Sequence, residues 1–245
     1  MNIKILPFTD KKMKIEIWSD IRCPFCYIGK RKFEEALNRF SEKDKVEIIW
    51  RSFELDPDLK TNPEISATDY LAQTKGMHPD QVAQMIEHVK QSARETGLDF
   101  DFENNILANS YHAHRLIQFA QSAGLGSEAE EALFEAHLTQ GKNIDDKEVL
   151  LRAGTSIGLN ADQVNQLLSS DDFGDKVRDD QNKAQSLGIR GVPFFVFDEK
   201  YAVSGAQSPD VFLNALQQTW TEWIGSQNNS AEGDGMSCTI DGECD

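Results

Sequence analysis

A Cys-x-x-Cys motif set between a strand and a helix constrains this chain more than any other feature. Lys14-Ile15-Glu16-Ile17-Trp18 alternates polar and apolar, as a strand with one buried face does. It runs through Ser19-Asp20-Ile21-Arg22 into Cys23-Pro24-Phe25-Cys26. Residues 26–40 then place Ile28, Phe33, Ala36, Leu37 and Phe40 at helical spacing, and residues 46–53 read as a second strand. Strand, helix, strand implies a parallel pair joined by a right-handed crossover.

Beyond residue 60 the pattern changes. Stretches 81–96, 106–123, 128–140, 147–157 and 161–168 read as amphipathic helices, with Gly97, Gly124, Gly141 and Gly158 where helices would end. Almost no strand signal interrupts residues 61–187. Strands resume with Phe194-Phe195-Val196-Phe197, a turn at 198–200 and Tyr201-Ala202-Val203-Ser204, a hairpin. Ser208-Pro209 opens a last helix, proline sitting at its first position. The order βαβ, helical insert, ββα defines an α/β chain. It predicts one domain from 1–60 and 188–224, an inserted helical domain over 61–187, and a flexible acidic tail over 225–245.

Acidic residues outnumber basic ones 41 to 25, a net charge of −16. Such a surface repels phosphate backbones and anionic lipid, so neither nucleic acid nor membrane is an expected partner. No apolar run approaches the ~20 residues of a bilayer span, and residues 1–14 lack the apolar stretch of a secretory signal, so a cytoplasmic location is expected. Four cysteines in 245 residues are too few for a disulfide scaffold. Two close pairs, Cys23/Cys26 and Cys238/Cys244, point instead to redox or metal chemistry.

The helix start gives the first pair its meaning. Unpaired N–H groups and the positive end of the helix dipole favour a thiolate at Cys23, while Cys26, one turn further in, can close a disulfide on it. Arg22 would favour that thiolate and Asp20 oppose it, so moderate activation is expected. Gly188-Ile189-Arg190-Gly191-Val192-Pro193 leads into the Phe-rich strand, where Pro193 is either an ordinary loop proline or a cis one. Cys238 and Cys244 flank Asp241-Gly242, a two-residue turn signal that could bring their sulfurs together. They read as an auxiliary redox pair, or as an exposed pair without a role. The histidines at 78, 88, 112, 114 and 137 read as surface or packing residues, and Asp145-Asp146 and Asp179-Asp180 as helix termini or solvated faces. No metal site is expected.

Cys23-Pro24-Phe25-Cys26 after a first strand, an all-helical insertion, and then Gly191-Val192-Pro193-Phe194 together resemble the DsbA-like branch of the thioredoxin fold. Val203-Ser204-Gly205-Ala206-Gln207 and Asn109-Ser110-Tyr111-His112-Ala113-His114-Arg115-Leu116 are similar to its FrnE group, related to 2-hydroxychromene-2-carboxylate isomerases and kappa-class glutathione transferases. The resemblance spans about residues 13–224. It implies Cys23 as nucleophile, Cys26 as resolving thiol, and Val192 before a cis-Pro193 that packs on the disulfide and pairs with an extended substrate. It implies protein thiols and disulfides as substrates, no bound cofactor, and glutathione or a reductase as redox partner. Two other functions compete: a glutathione-dependent isomerase or transferase on small molecules, and a zinc-binding, chaperone-like module. Those relatives carry Ser at the first cysteine; this chain keeps both, which favours disulfide exchange.

Overall fold

The computed structural model describes residues 11–232. Strand β1 (Met13–Ser19) lies inside a four-stranded sheet of order β2-β1-β5-β6. It pairs parallel with β2 (Val46–Ser52) and antiparallel with β5 (Phe194–Phe197), beyond which β6 (Tyr201–Ser204) forms the edge. Both faces of β1 are covered, so nearly all of it is buried. Ile15 and Ile17 face one core with Phe33, Phe195 and Phe212, whereas Trp18 faces a second cluster with Ala184 and Ile189. Glu16 points to the Trp18 side. Burial alone would raise its pKa, but hydrogen bonds from Lys183 and Arg51 at 2.8 and 2.7 Å hold it below the usual value.

Helix α1 (Pro24–Arg39) crosses from β1 to β2, with Pro24 in its first turn. Its Phe33 packs 5.5 Å from Phe195 and 5.8 Å from Phe212 of the last helix, α9 (Pro209–Glu232). The other side of α1 meets the inserted segment. Tyr27 stacks on Phe134 at 4.8 Å and 8°, and on Phe100 at 6.0 Å, so the apolar core runs without a break from the sheet into the insert.

The insert holds β3 (Asn62–Ser66), α2 (Ala67–Lys75), α3 (Pro79–Arg94), β4 (Ile106–Leu107), α4 (Tyr111–Ser122) and α5 (Gly126–Phe134). A π-helical turn (Glu135–Thr139) follows, then α6 (Lys147–Ser156), α7 (Ala161–Leu168) and α8 (Gly174–Ser186). The helix expected over 106–123 starts only at Tyr111. The Asn109 side chain accepts from the Tyr111 N–H at 2.8 Å, which sets the start, and Ile106 and Leu107 pair with β3 instead. The stretch expected as one helix over 128–140 changes to wider π geometry at Glu135. Elements β3, α2 and α8 have no counterpart in the sequence reading. In α8 only Val177 and Ala184 are buried apolar side chains, and Asp180 completes the inner face. Asp180 is therefore not solvated: it accepts from the Ser52 N–H, Arg51 and Gln118 at 2.9 Å each.

Gly97, Gly124, Gly141 and Gly158 all adopt positive φ at helix ends, as their positions imply. At Gly141 a Cβ would also lie 2.8 Å from the Asn104 carbonyl oxygen, so two constraints select glycine there. Helix α9 does not stop at Gly225. It continues to Glu232, so the first part of the expected tail is helical. Within the described residues no helix is long and apolar enough to cross a membrane.

Candidate active site

The site forms where β1 ends. Asp20 shapes the turn: its carbonyl accepts from the Cys23 N–H at 2.9 Å, and its carboxylate accepts from the N–H groups of Arg22 at 3.1 Å and Leu55 at 2.8 Å. Cys23 is thereby held in extended conformation as the N-cap of α1. Cys26 follows inside the first turn, its N–H 3.0 Å from the Cys23 carbonyl. Both thiols are free; Cys23 is 7% exposed and Cys26 2%. Phe25 between them is 41% exposed, an apolar ring at the mouth of the site.

The second element arrives from far along the chain. Val192–Pro193 is a cis peptide, and the Cys23 thiol lies 3.7 Å from the Val192 carbonyl oxygen. Gly29 permits this approach, because a Cβ there would stand 2.9 Å from Cγ of Pro193. The Pro193 carbonyl accepts from the Gly205 N–H at 2.8 Å, and Lys32 of α1 donates to the Ala206 carbonyl at 3.3 Å. The motif at 203–207 thus anchors the proline loop. Cys23, Cys26, Val192 and Pro193, all singled out from the sequence, meet at one place. Cys238 and Cys244 lie outside the described residues. The Asn109 amide donates to the Leu59 carbonyl at 2.9 Å.

Beneath the cysteines lies a buried ionisable cluster. Asp20, His114 and Glu130 come from the β1 loop, α4 and α5, and each is 1% exposed or less. Nε2 of His114 stands 3.6 Å from Asp20, an ion-pair contact too long for a good hydrogen bond, and neither ring nitrogen has a hydrogen-bond partner. Burial works against ionising Asp20, but His114 and the Leu55 N–H outweigh it and hold the carboxylate low. The same pairing holds His114 above its usual value despite burial. Burial pushes the Cys26 thiol well up, and its hydrogen bond with Cys23 and the nearby Cys23 and Asp20 charges push the same way. Sequence reasoning set His114 aside and saw Asp20 only as a charge near Cys23. Nothing in the local pattern distinguishes buried His114 from half-exposed His112 one turn face away.

Glu130 yields a signed prediction. Burial raises its pKa from 4.5 to about 7. The folded state therefore holds the proton more tightly than the unfolded one, so this group stabilises fully below pH 4.5 and its contribution is lost as pH rises through about 7. Glu130→Gln removes the titration. Its stability relative to the parent should improve between pH 5 and pH 8.5, read from denaturant midpoints; a difference independent of pH would refute the assignment.

A cleft of about 330 Å³ opens beside Cys23. Arg22, Pro24 and Leu55 line it from the thioredoxin side, and Tyr70, Leu71, Leu107 and His137 from the insert. The Nδ1 of His137 lies 3.2 Å from the Lys142 carbonyl, and burial lowers this imidazole to about 4. The sequence reads His137 as a surface or packing residue; the structure places it on a π turn facing the cleft of Cys23. Among the described residues no group of three or more His, Cys, Asp or Glu side chains is placed to hold a metal ion.

Known proteins place this arrangement in a family. The chain is 34% identical to a probable DsbA oxidoreductase from Streptomyces coelicolor, with a TM-score of 0.79 over 95% of each chain. It is 27% identical to the uncharacterised protein YwbO of Bacillus subtilis, covering 82% of this chain and 94% of that one. A cytosolic disulfide reductase, DsbM from Pseudomonas aeruginosa with GSH, shares the fold at TM-score 0.61 and 18% identity, over 85% of this chain and 99% of that one. A 2-hydroxychromene-2-carboxylate isomerase does so at 0.61 and 13%, over 89% and 98%. Residues 14–217 match the family model of the DSBA-like thioredoxin domain, and the chain belongs to that family.

Proposed function

We propose that the protein is a thiol–disulfide oxidoreductase acting on protein cysteines, with Cys23 attacking and Cys26 resolving. The observation that carries this reading is the Cys23 sulfur at the start of α1, 3.7 Å from the Val192 carbonyl of the cis-proline loop. The α1 terminus presents its unpaired N–H groups to the sulfur, and no acidic side chain occupies the first turn of α1. An extended substrate segment would lie along the Val192 backbone as an added strand, bringing its disulfide to Cys23.

In the reducing direction, the Cys23 thiolate bonds to one substrate sulfur and the substrate S–S bond breaks. The other sulfur leaves as a thiolate and takes a proton from water. Cys26, once deprotonated, then bonds to Cys23 and expels the first substrate sulfur. The enzyme dithiol is oxidised to a disulfide while the substrate disulfide becomes two thiols. The high pKa of Cys26 keeps it protonated until Cys23 is engaged, which orders the two steps. Glutathione is the proposed reductant that restores the dithiol, and a reducing cellular compartment belongs to the same proposal; DsbM, named as cytosolic and solved with GSH, has this fold.

The test is iodoacetamide alkylation of Cys23 in protein whose other three cysteines are serine. Alkylation at pH 6 should run at least about tenfold faster than for an unstructured peptide cysteine. A rate equal to the peptide's would mean that the helix terminus does not activate Cys23, and the reading would fail.

A further inference from the structure

We infer that His137 is a substrate-positioning residue whose Nε2 accepts a hydrogen bond from a backbone N–H of the peptide segment engaged at Cys23. This rests on the exchange function proposed above. Four observations converge on it.

His137 lines the same cleft as Cys23, but from the insert. It rides on a π turn, in which the Gln140 N–H reaches the Glu135 carbonyl at 3.0 Å and the Lys142 N–H reaches the Ala136 carbonyl at 2.8 Å. Such wide turns are rare and recur at functional sites. The ring is also locked. A carbonyl can only accept, so the 3.2 Å contact to Lys142 requires the proton on Nδ1 and leaves Nε2 as the lone-pair nitrogen. Asn105, another cleft residue, donates to the His137 carbonyl at 3.0 Å and fixes the backbone that carries the ring.

The third observation is chemical. Burial lowers His137 to about 4, so near neutral pH it is an uncharged acceptor. The fourth is its surroundings. Of the other polar cleft groups, Arg22 only donates and Asp56 accepts from the Tyr70 hydroxyl at 2.5 Å, while Thr74, Tyr70 and the Asn105 amide oxygen offer further neutral acceptors along the cleft. Leu55, Leu71 and Leu107 supply apolar walls. A neutral acceptor among apolar walls suits a desolvated peptide N–H, which must be paired once it leaves water. The ligand class is therefore an extended peptide with an uncharged, apolar residue beside its cysteine. Val192 would take one edge of that strand and His137 a donor further along it.

The experiment compares two substrates on full-length protein: a cysteine-peptide disulfide, and dithiobis(nitrobenzoate), an aryl disulfide with no N–H group. Circular dichroism checks that the variants fold. In His137→Phe the ratio of kcat/KM for peptide to that for aryl disulfide should fall about tenfold, mainly through KM. His137→Gln, which keeps a neutral acceptor, should recover most of the ratio. A peptide N-methylated next to its cysteine should lose about tenfold on the parent protein and little more on His137→Phe. An unchanged ratio, or a Gln variant as poor as Phe, would overturn the inference. Should the parent itself exchange neither substrate, the functional reading beneath it fails instead, so the two failures are separable.

Discussion

Cys23→Ser should lower peptide-disulfide reduction by at least about 10³-fold, the scale on which loss of a nucleophile costs a covalent mechanism. A hydroxyl at the α1 N-cap gains the same help from the helix terminus, but it cannot be ionised near neutral pH and does not attack sulfur. Cys26→Ser should behave differently. The first attack still proceeds, because Cys23 keeps its place 3.7 Å from the Val192 carbonyl. Without the second sulfur the mixed disulfide has no internal exit and should accumulate. Mass spectrometry after mixing with a peptide disulfide should find the adduct on Cys23 in Cys26→Ser and none in Cys23→Ser. Full turnover by Cys26→Ser would move the small-molecule isomerase or transferase reading ahead, since that chemistry needs no resolving thiol.

The largest stability effect should come from Arg115→Leu. Arg115 is completely buried in α4 yet makes no close ion pair. Its guanidinium works as a clamp on backbone. Nη2 donates to the carbonyls of Leu167 and Ser170 at 2.6 Å each, and Nε to that of Asp172 at 2.9 Å. These carbonyls lie in the last turn of α7 and the segment just beyond it, where helix-end carbonyls need partners once buried. Leucine would leave the Ser170 and Asp172 carbonyls without this partner and Leu167 with only its long 3.3 Å contacts from Ser170, at a cost of roughly 3 kcal/mol. For a chain of this size that is a fall in Tm of about 6–12 °C. Arg115→Lys should recover only part, because one ammonium cannot span three carbonyls set around a planar fork. Thermal unfolding of both variants decides it; a shift under about 2 °C for Leu would show the clamp to be dispensable.

The readable parts of this fold carry their signal locally. Alternation marks β1 and β2, and Pro24 and Pro209 mark the first turns of α1 and α9. Glycines close four of the inserted helices. Helix α8 was invisible because its inner face is finished by Asp180, a carboxylate whose partners come from β2 and α4. Strand β4 is two residues long, and its identity depends on a partner forty or more positions earlier. The site divides the same way. Cys23 and Cys26 announce themselves by spacing, and Pro193 was linked to them only by family resemblance, with Gly29 as the local trace of the contact. His114 and Glu130 gain meaning only from Asp20 on the loop after β1 and from each other, and His137 only from the cleft it shares with Cys23.

The stacking of Tyr27 on Phe134, within the first turn after Cys26, has a consequence for what can be a substrate. Rings packed nearly parallel across the boundary between α1 and the insert make one wall of the cleft part of the same solid as the cysteines. A wall of that kind does not fold over a visitor, so the adaptation falls to the visitor. Chains presenting a cysteine on a loose, stretched length of backbone can enter; those holding it inside a finished fold must first give up part of that fold. For the exchange function proposed above, this selects protein substrates met before their folds are complete or after they begin to fail.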